Sequence, residues 1–173
     1  MIVALDANCL VAWASTTAAG KLDRARLDHL LGQVAAVGGK VIIPAPAFAE
    51  FLVGIDEAAA EWLNVLERKR SILVAPFDKR AAFECSLLDK AAIGQGDKRG
   101  GRKDEWQRIK VDRQIVAVAR VNQATMMIAE DGGLRSTATT AGLQARRIGD
   151  LEIPDSARQH DLPYGDASTK PKG

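Results

Sequence analysis

Short, unbroken apolar runs alternate along this chain with longer stretches of helical spacing. Ile2-Val3-Ala4-Leu5, Val41-Ile42-Ile43, Ile72 to Ala75 and Met126 to Ala129 are brief and continuous, as strands buried on both faces are. Arg146 to Ile148 makes a short fifth. Between them, apolar residues recur at three and four positions, and helices are expected over about 9–15, 22–37, 104–122 and 134–141. The first follows the turn Asp6-Ala7-Asn8, with Asn8 as N-cap. The second places Leu27, Leu30, Leu31 and Val34 on one side and stops at Gly38-Gly39. Pro44 and Pro46 open a further helix that carries Phe48, Glu50, Phe51 and Leu52 and ends near Gly54. Another runs from about 56 to 69, and Asp78 caps one that reaches about Ile93. This rhythm predicts an α/β fold: three α/β/α layers around a central, mainly parallel sheet of four to five strands.

At 173 residues the chain is expected to form one domain over 1–149, followed by a polar, extended or partly disordered tail over 150–173. Hydrophobic content of 47% and a net charge of +2 exclude a polycation, so nucleic-acid affinity would need a local patch. Cys9 and Cys85 sit in apolar helical patterns and read as free thiols, not a disulfide framework. No run reaches the roughly 18 apolar residues of a membrane span, and no signal-peptide pattern opens the chain. A cytoplasmic protein is the default expectation.

Four carboxylates stand out against this background. Asp6 is the only charged residue among the first twenty and ends the first apolar run. Glu50 is the only charged residue between Ile42 and Ile55, which predicts that it is buried. Asp112, in IKVDRQIVAVA, projects from the core-facing stripe of its helix. Asp131, in Glu130-Asp131-Gly132-Gly133, lies just past the fourth strand; taken alone it is more readily a turn or helix cap. Asp6 and Asp131 both follow strands, so they share the carboxyl edge of the sheet, where open α/β sheets hold their functional crevice. An ionised carboxylate in apolar surroundings needs a compensating cation or donors. Four converging acids point to a hard divalent ion with oxygen ligands, Mg2+ or Mn2+. Neither His29 nor His160 has metal-ligand spacing.

These residues resemble the PIN-domain ribonucleases, especially VapC-type toxins of toxin–antitoxin modules. The matching segments are Leu5-Asp6-Ala7-Asn8, Pro46-Ala47-Phe48-Ala49-Glu50-Phe51, Asp112-Arg113-Gln114-Ile115-Val116-Ala117-Val118-Ala119 and Ala129-Glu130-Asp131. The resemblance covers about residues 1–149 and implies a PIN-like fold. It implies a metal-dependent endoribonuclease with Asp6, Glu50, Asp112 and Asp131 as catalytic metal ligands, and Asn8 supporting them. It further implies an RNA substrate, 5′-phosphate and 3′-hydroxyl products, a cognate antitoxin that docks near the acidic groove with an arginine blocking it, and a homodimer. One departure is Ala129, where many members carry Thr or Ser; Glu130 is the candidate replacement.

An acidic pocket repels RNA, so its rim must be basic. Residues 94–103, GQGDKRGGRK, read as a mobile basic loop, and over 94–110 six cations face three carboxylates. Lys98, Arg99, Arg102 and Lys103 are the candidate phosphate contacts, and Trp106 a candidate base-stacking residue. Arg135, Arg146 and Arg147 are further candidates. The alternative function is a catalytically silent PIN-like binding module. A phosphotransfer domain also places Asp after its first strand, but the dehalogenase form wants Asp-x-Asp, and position 8 is Asn.

Overall fold

The computed structural model describes residues 1–55 and 59–158. Its elements follow the order β1 (Ile2–Leu5), α1 (Ala7–Ala14), α2 (Lys21–Ala36), β2 (Lys40–Pro44), α3 (Ala45–Ile55), α4 (Ala59–Arg68), β3 (Ile72–Ala75), α5 (Lys79–Gly94), α6 (Trp106–Val121), β4 (Met126–Ile128), α7 (Gly132–Thr140), β5 (Gln144–Arg146), a 3-10 turn (Ile148–Asp150) and α8 (Asp155–Arg158). Five strands form one sheet in the order β3-β2-β1-β4-β5, every pair parallel. The three-layer α/β/α expectation is met.

Alternation along the strands divides the core in two. Val3, Leu5, Val41 and Ile43 point into a layer with Cys9, Leu10, Leu27, Val34 and Phe51 from α1, α2 and α3. Ala4, Ile42 and Met127 point the other way, onto Ile115, Val116 and Ala119 of α6 and Leu134 and Ala138 of α7. Small residues on that second face let α6 lie close to the sheet. On the first face Phe51 and Trp62 meet edge to face, with ring centroids 5.6 Å apart, and Trp13 meets Trp62 at 5.0 Å. Trp13 keeps its indole N–H satisfied by donating to Asp28 Oδ1 at 2.8 Å. Gly39 allows the chain to enter β2, since a Cβ there would stand 2.2 Å from the Met1 carbonyl oxygen.

Several boundaries differ from expectation, each for a local reason. Asp6, not Asn8, caps α1: its backbone is extended and its Oδ1 accepts the Cys9 N–H at 2.8 Å, so the helix starts at Ala7. Asp131 likewise caps α7, which starts two residues earlier than its apolar spacing predicts. The fifth strand occupies Gln144–Arg146 rather than 146–148. Ile148 is instead buried in the 3-10 turn, its N–H donating to Glu130 Oε1 at 2.8 Å. The start expected at 56 for the fourth helix and the tail beyond 158, with His160, lie outside the described residues. No helix among the described residues is long and apolar enough to cross a membrane.

The topology fixes where chemistry can happen. The chain winds outward from β1 through β2 to β3, then returns to the other side of β1 as β4. The switch point between β1 and β4 opens a crevice at their carboxyl ends. Asp6 follows β1 directly, and Asp131 lies three residues past the end of β4.

Candidate active site

Asp6, Glu50, Asp112 and Asp131 line one cavity of about 360 Å3 at that switch point, together with Asn8, Gln107 and Arg108. Four different elements deliver the acids. Asp6 ends β1 and is 3% exposed; its Oδ1 is held by the Cys9 N–H and its Oδ2 accepts the Glu130 N–H at 3.3 Å. Asp112 is 6% exposed in the middle of α6, as the core-facing stripe predicts. Asp131 is half-buried at the N-terminus of α7, with its Oδ1 accepting the Leu134 N–H at 2.7 Å. Glu50 differs from expectation: it is exposed. Its helix buries Ala47, Phe48 and Phe51 on one side, and Glu50 falls on the flank that opens to the cavity.

The charges sense one another. Partial desolvation at the cavity first, then the neighbouring Asp112 and Asp6, raise the Glu50 carboxyl above its ordinary pKa although the residue as a whole is exposed. Burial raises Asp6 despite its two N–H donors. Burial also raises Asp112, although an arginine beside it pulls the other way. Asp131 is the exception. Burial pushes it up, but the Leu134 N–H and the Arg108 guanidinium outweigh that and hold it below the ordinary range. A pocket whose acids repel their own ionised forms is one that a cation would stabilise.

Arginines already stand in part of that role. Arg102 Nη1 donates to Asp112 Oδ2 at 2.6 Å, and Arg108 pairs with Asp131. Among the described residues no three His, Cys, Asp or Glu side chains are arranged as a ready metal site. The donor set still suits a hard divalent cation, because it is all oxygen and carries surplus negative charge at Glu50, Asp6 and Asp112. One oxygen of Asp112, Oδ2, is taken by Arg102.

The basic loop between α5 and α6 carries internal hydrogen bonds across its glycines. Asp97 accepts the Arg99 and Gly101 N–H groups at 2.9 and 2.8 Å, which lowers its pKa, and Gly96, Gly100 and Gly101 take positive φ. Arg99 donates to the Asp104 carbonyl at 2.8 Å. Lys98 and Lys103 remain exposed. Trp106 is half-buried beneath the charged ends of Lys98, Lys110 and Arg113. Arg102 is the loop cation that turns inward. A larger cavity, about 550 Å3, lies between α5, α6 and α7 on the far side of Arg102, and among the described residues Glu84 is the one acid lining it.

Ala129 is fully buried in the core beneath the second helical layer and does not line the acidic cavity. Nor does Glu130 replace a hydroxyl there, because its carboxylate is committed to the Ile148 N–H and Arg147. Arg135 supports the same segment, donating to the carbonyls of Ala129 and Glu130 at 2.9 and 2.6 Å. Arg146 and Arg147 are exposed near the last strand. Sequence reasoning counted Arg108 only among the six cations of 94–110 and did not place it at the acids, although it lies one turn before Asp112 on α6. It missed Cys9 as a support: its thiol donates to the Ile128 carbonyl at 3.2 Å, tying α1 to β4 beside Asp6.

Solved structures that share the fold include the following two. VapBC2 from Rickettsia felis, bound to a DNA fragment from its promoter, is 14% identical over 85% of this chain and 98% of that one, with a TM-score of 0.54. DNA-bound VapBC from Salmonella typhimurium is 14% identical over 86% of this chain and 98% of that one, also with a TM-score of 0.54. No curated protein sequence matches the chain significantly. The model of the PIN domain matches residues 3–139, a span that includes all four acids. The chain therefore belongs to the PIN-domain family.

Proposed function

We propose that this protein is a Mg2+- or Mn2+-dependent endoribonuclease, the toxin of a type II toxin–antitoxin pair. The observation that carries the reading is the convergence of Asp6, Glu50, Asp112 and Asp131 on one cavity at the sheet's switch point. Membership of the PIN family supports the nuclease class, and the shared fold of the VapBC structures supports the toxin role. Asp6, Glu50, Asp112 and Asp131 would hold the divalent cation, which when bound would activate water and screen charge on the phosphate. The chain's own groups do the rest. The Cys9 and Glu130 N–H groups fix the orientation of Asp6, and the Leu134 N–H fixes Asp131. Asn8, exposed at the cavity wall, is placed to hydrogen-bond a ligand or its water. Lys98, Arg99 and Lys103 offer a cationic approach for the RNA backbone, with Trp106 beneath Lys98.

The partners follow from the same reading: an antitoxin that covers the acidic groove, and a second copy of the chain. The test is incubation with total RNA in Mn2+ or in chelator, with 5′ ends mapped. Cleavage that needs metal and disappears in Asp6→Asn is the expected result. Chelator-resistant cleavage, or full activity in that variant, contradicts it. The Arg102–Asp112 and Arg108–Asp131 pairs favour a second reading, a silent PIN-like binding module whose acids are neutralised in place. Absence of any metal-dependent cleavage, with RNA or antitoxin binding retained, selects that alternative.

A further inference from the structure

We propose that Arg102 is a built-in gate that competes with the divalent cation for Asp112. The inference rests on the metal-site reading above and adds its regulation. The pairing is not a loose surface contact. The Arg102 and Asp112 side chains are 10% and 9% exposed, and their atoms meet at 2.6 Å. A second acid, Asp104, accepts from Nε of the same guanidinium at 2.8 Å and lies 2.7 Å from its Nη2 as an ion pair, and Thr137 Oγ1 accepts from Nη1 at 3.2 Å. The head group thus has a seat assembled from the loop, α6 and α7.

Gly133 completes the seat. A Cβ at that position would stand 2.0 Å from Arg102 Nη2 and 2.6 Å from its Cζ. Only a residue without a side chain lets the guanidinium lie against the first turn of α7. The stem of the gate has joints of the same kind. Gly100 and Gly101, immediately before Arg102, take φ of 63° and 78°, a region that glycine enters freely. Arg113, one residue past Asp112, holds the Lys98 carbonyl at 2.7 Å, so the loop is anchored near the acid it blocks.

The physical consequence is competition. The Asp112 oxygen that Arg102 occupies is withdrawn from a cation, and the seated arginine adds positive charge at the same place. Apparent metal affinity is then reduced by the fraction of molecules with the seat empty; an open form populated to a tenth weakens it about tenfold. Asp112 becomes available when the loop lifts, for instance when RNA phosphates draw Arg102 outward.

The experiment is Mn2+ titration calorimetry on the full chain, for wild type, Arg102→Ala and Gly133→Ala, with thermal unfolding of each as a folding check. Gly133→Ala keeps every charge and fills the seat. The gate predicts that both variants bind Mn2+ several-fold tighter than wild type. Unchanged or weaker binding by Arg102→Ala overturns it. Tighter binding by Arg102→Ala with unchanged Gly133→Ala also overturns it, since loss of one positive charge would then explain the gain. If wild type binds Mn2+ and the variants match it, the gate alone fails. If none of the three binds Mn2+, the metal-site reading fails and the gate with it.

Discussion

At the residue scale, the acids are distinguished by what holds them. Asp6 and Asp131 are each fixed by a helix N-terminus, whose partial positive charge suits a carboxylate. Asp112 depends on a side-chain cation, and Glu50 feels Asp112, Asp6 and Asp131 against Arg108. Those differences set the pH behaviour. Asp6, Glu50 and Asp112 hold protons more tightly folded than unfolded, so in the absence of metal their joint effect is a stability that falls as pH rises through the ordinary carboxylate range and above it. Glu50→Gln removes one repelling charge and is expected to raise the unfolding temperature of the metal-free protein at pH 7; a lowered temperature counts against a mutually repelling cluster. Metal binding requires the ionised forms, so Mn2+ affinity should begin to fall with acidification at a pH above that of ordinary carboxylates, with proton release on binding. Calorimetry in buffers of different ionisation heat measures that release, and its absence would mean that the acids are not the ligands.

At the scale of elements, caps and supports decide local stability. Asp78 Oδ1 accepts the Ala81 N–H at 2.9 Å and caps α5, and Asp78 does not line the acidic cavity. Asp78→Ala should cost about 1 kcal/mol in denaturant unfolding and leave metal binding unchanged. Arg135 has a different task, because the two carbonyls it holds belong to the segment that presents both the Glu130 N–H and Asp131. Arg135→Met is expected to weaken Mn2+ affinity more than it lowers the unfolding temperature, and a purely thermal effect would assign it to scaffolding. Much of this scale was legible beforehand. Unbroken apolar runs located four strands, and an acid stranded in each of three apolar segments located Asp6, Glu50 and Asp112. The exposure of Glu50 was not legible, since an apolar helix can still turn one flank to a crevice. Nor was the seat of Arg102. Its partners Asp104, Asp112 and Thr137 lie 2, 10 and 35 positions away, and the loop's path alone brings them together.

At the scale of the whole molecule, the parallel order β3-β2-β1-β4-β5 explains why acids so far apart in sequence become neighbours. β1 and β4 are adjacent, so the residues that follow them share one edge, while α3 and α6 approach that edge from β2 and towards β4. The proposed homodimer should appear as twice the mass of the chain in light scattering at micromolar concentration, and a monomer there would contradict that part of the reading. The central claim is that the four acids share a cation. Its most direct measurement is an anomalous difference map from crystals soaked in Mn2+. The account predicts a peak in the cavity at the switch point, with carboxylate oxygens of Asp6, Glu50 or Asp112 at about 2.1 Å and Arg102 displaced from Asp112. A cavity without a peak at saturating Mn2+, with Arg102 still seated on Asp112, would contradict it.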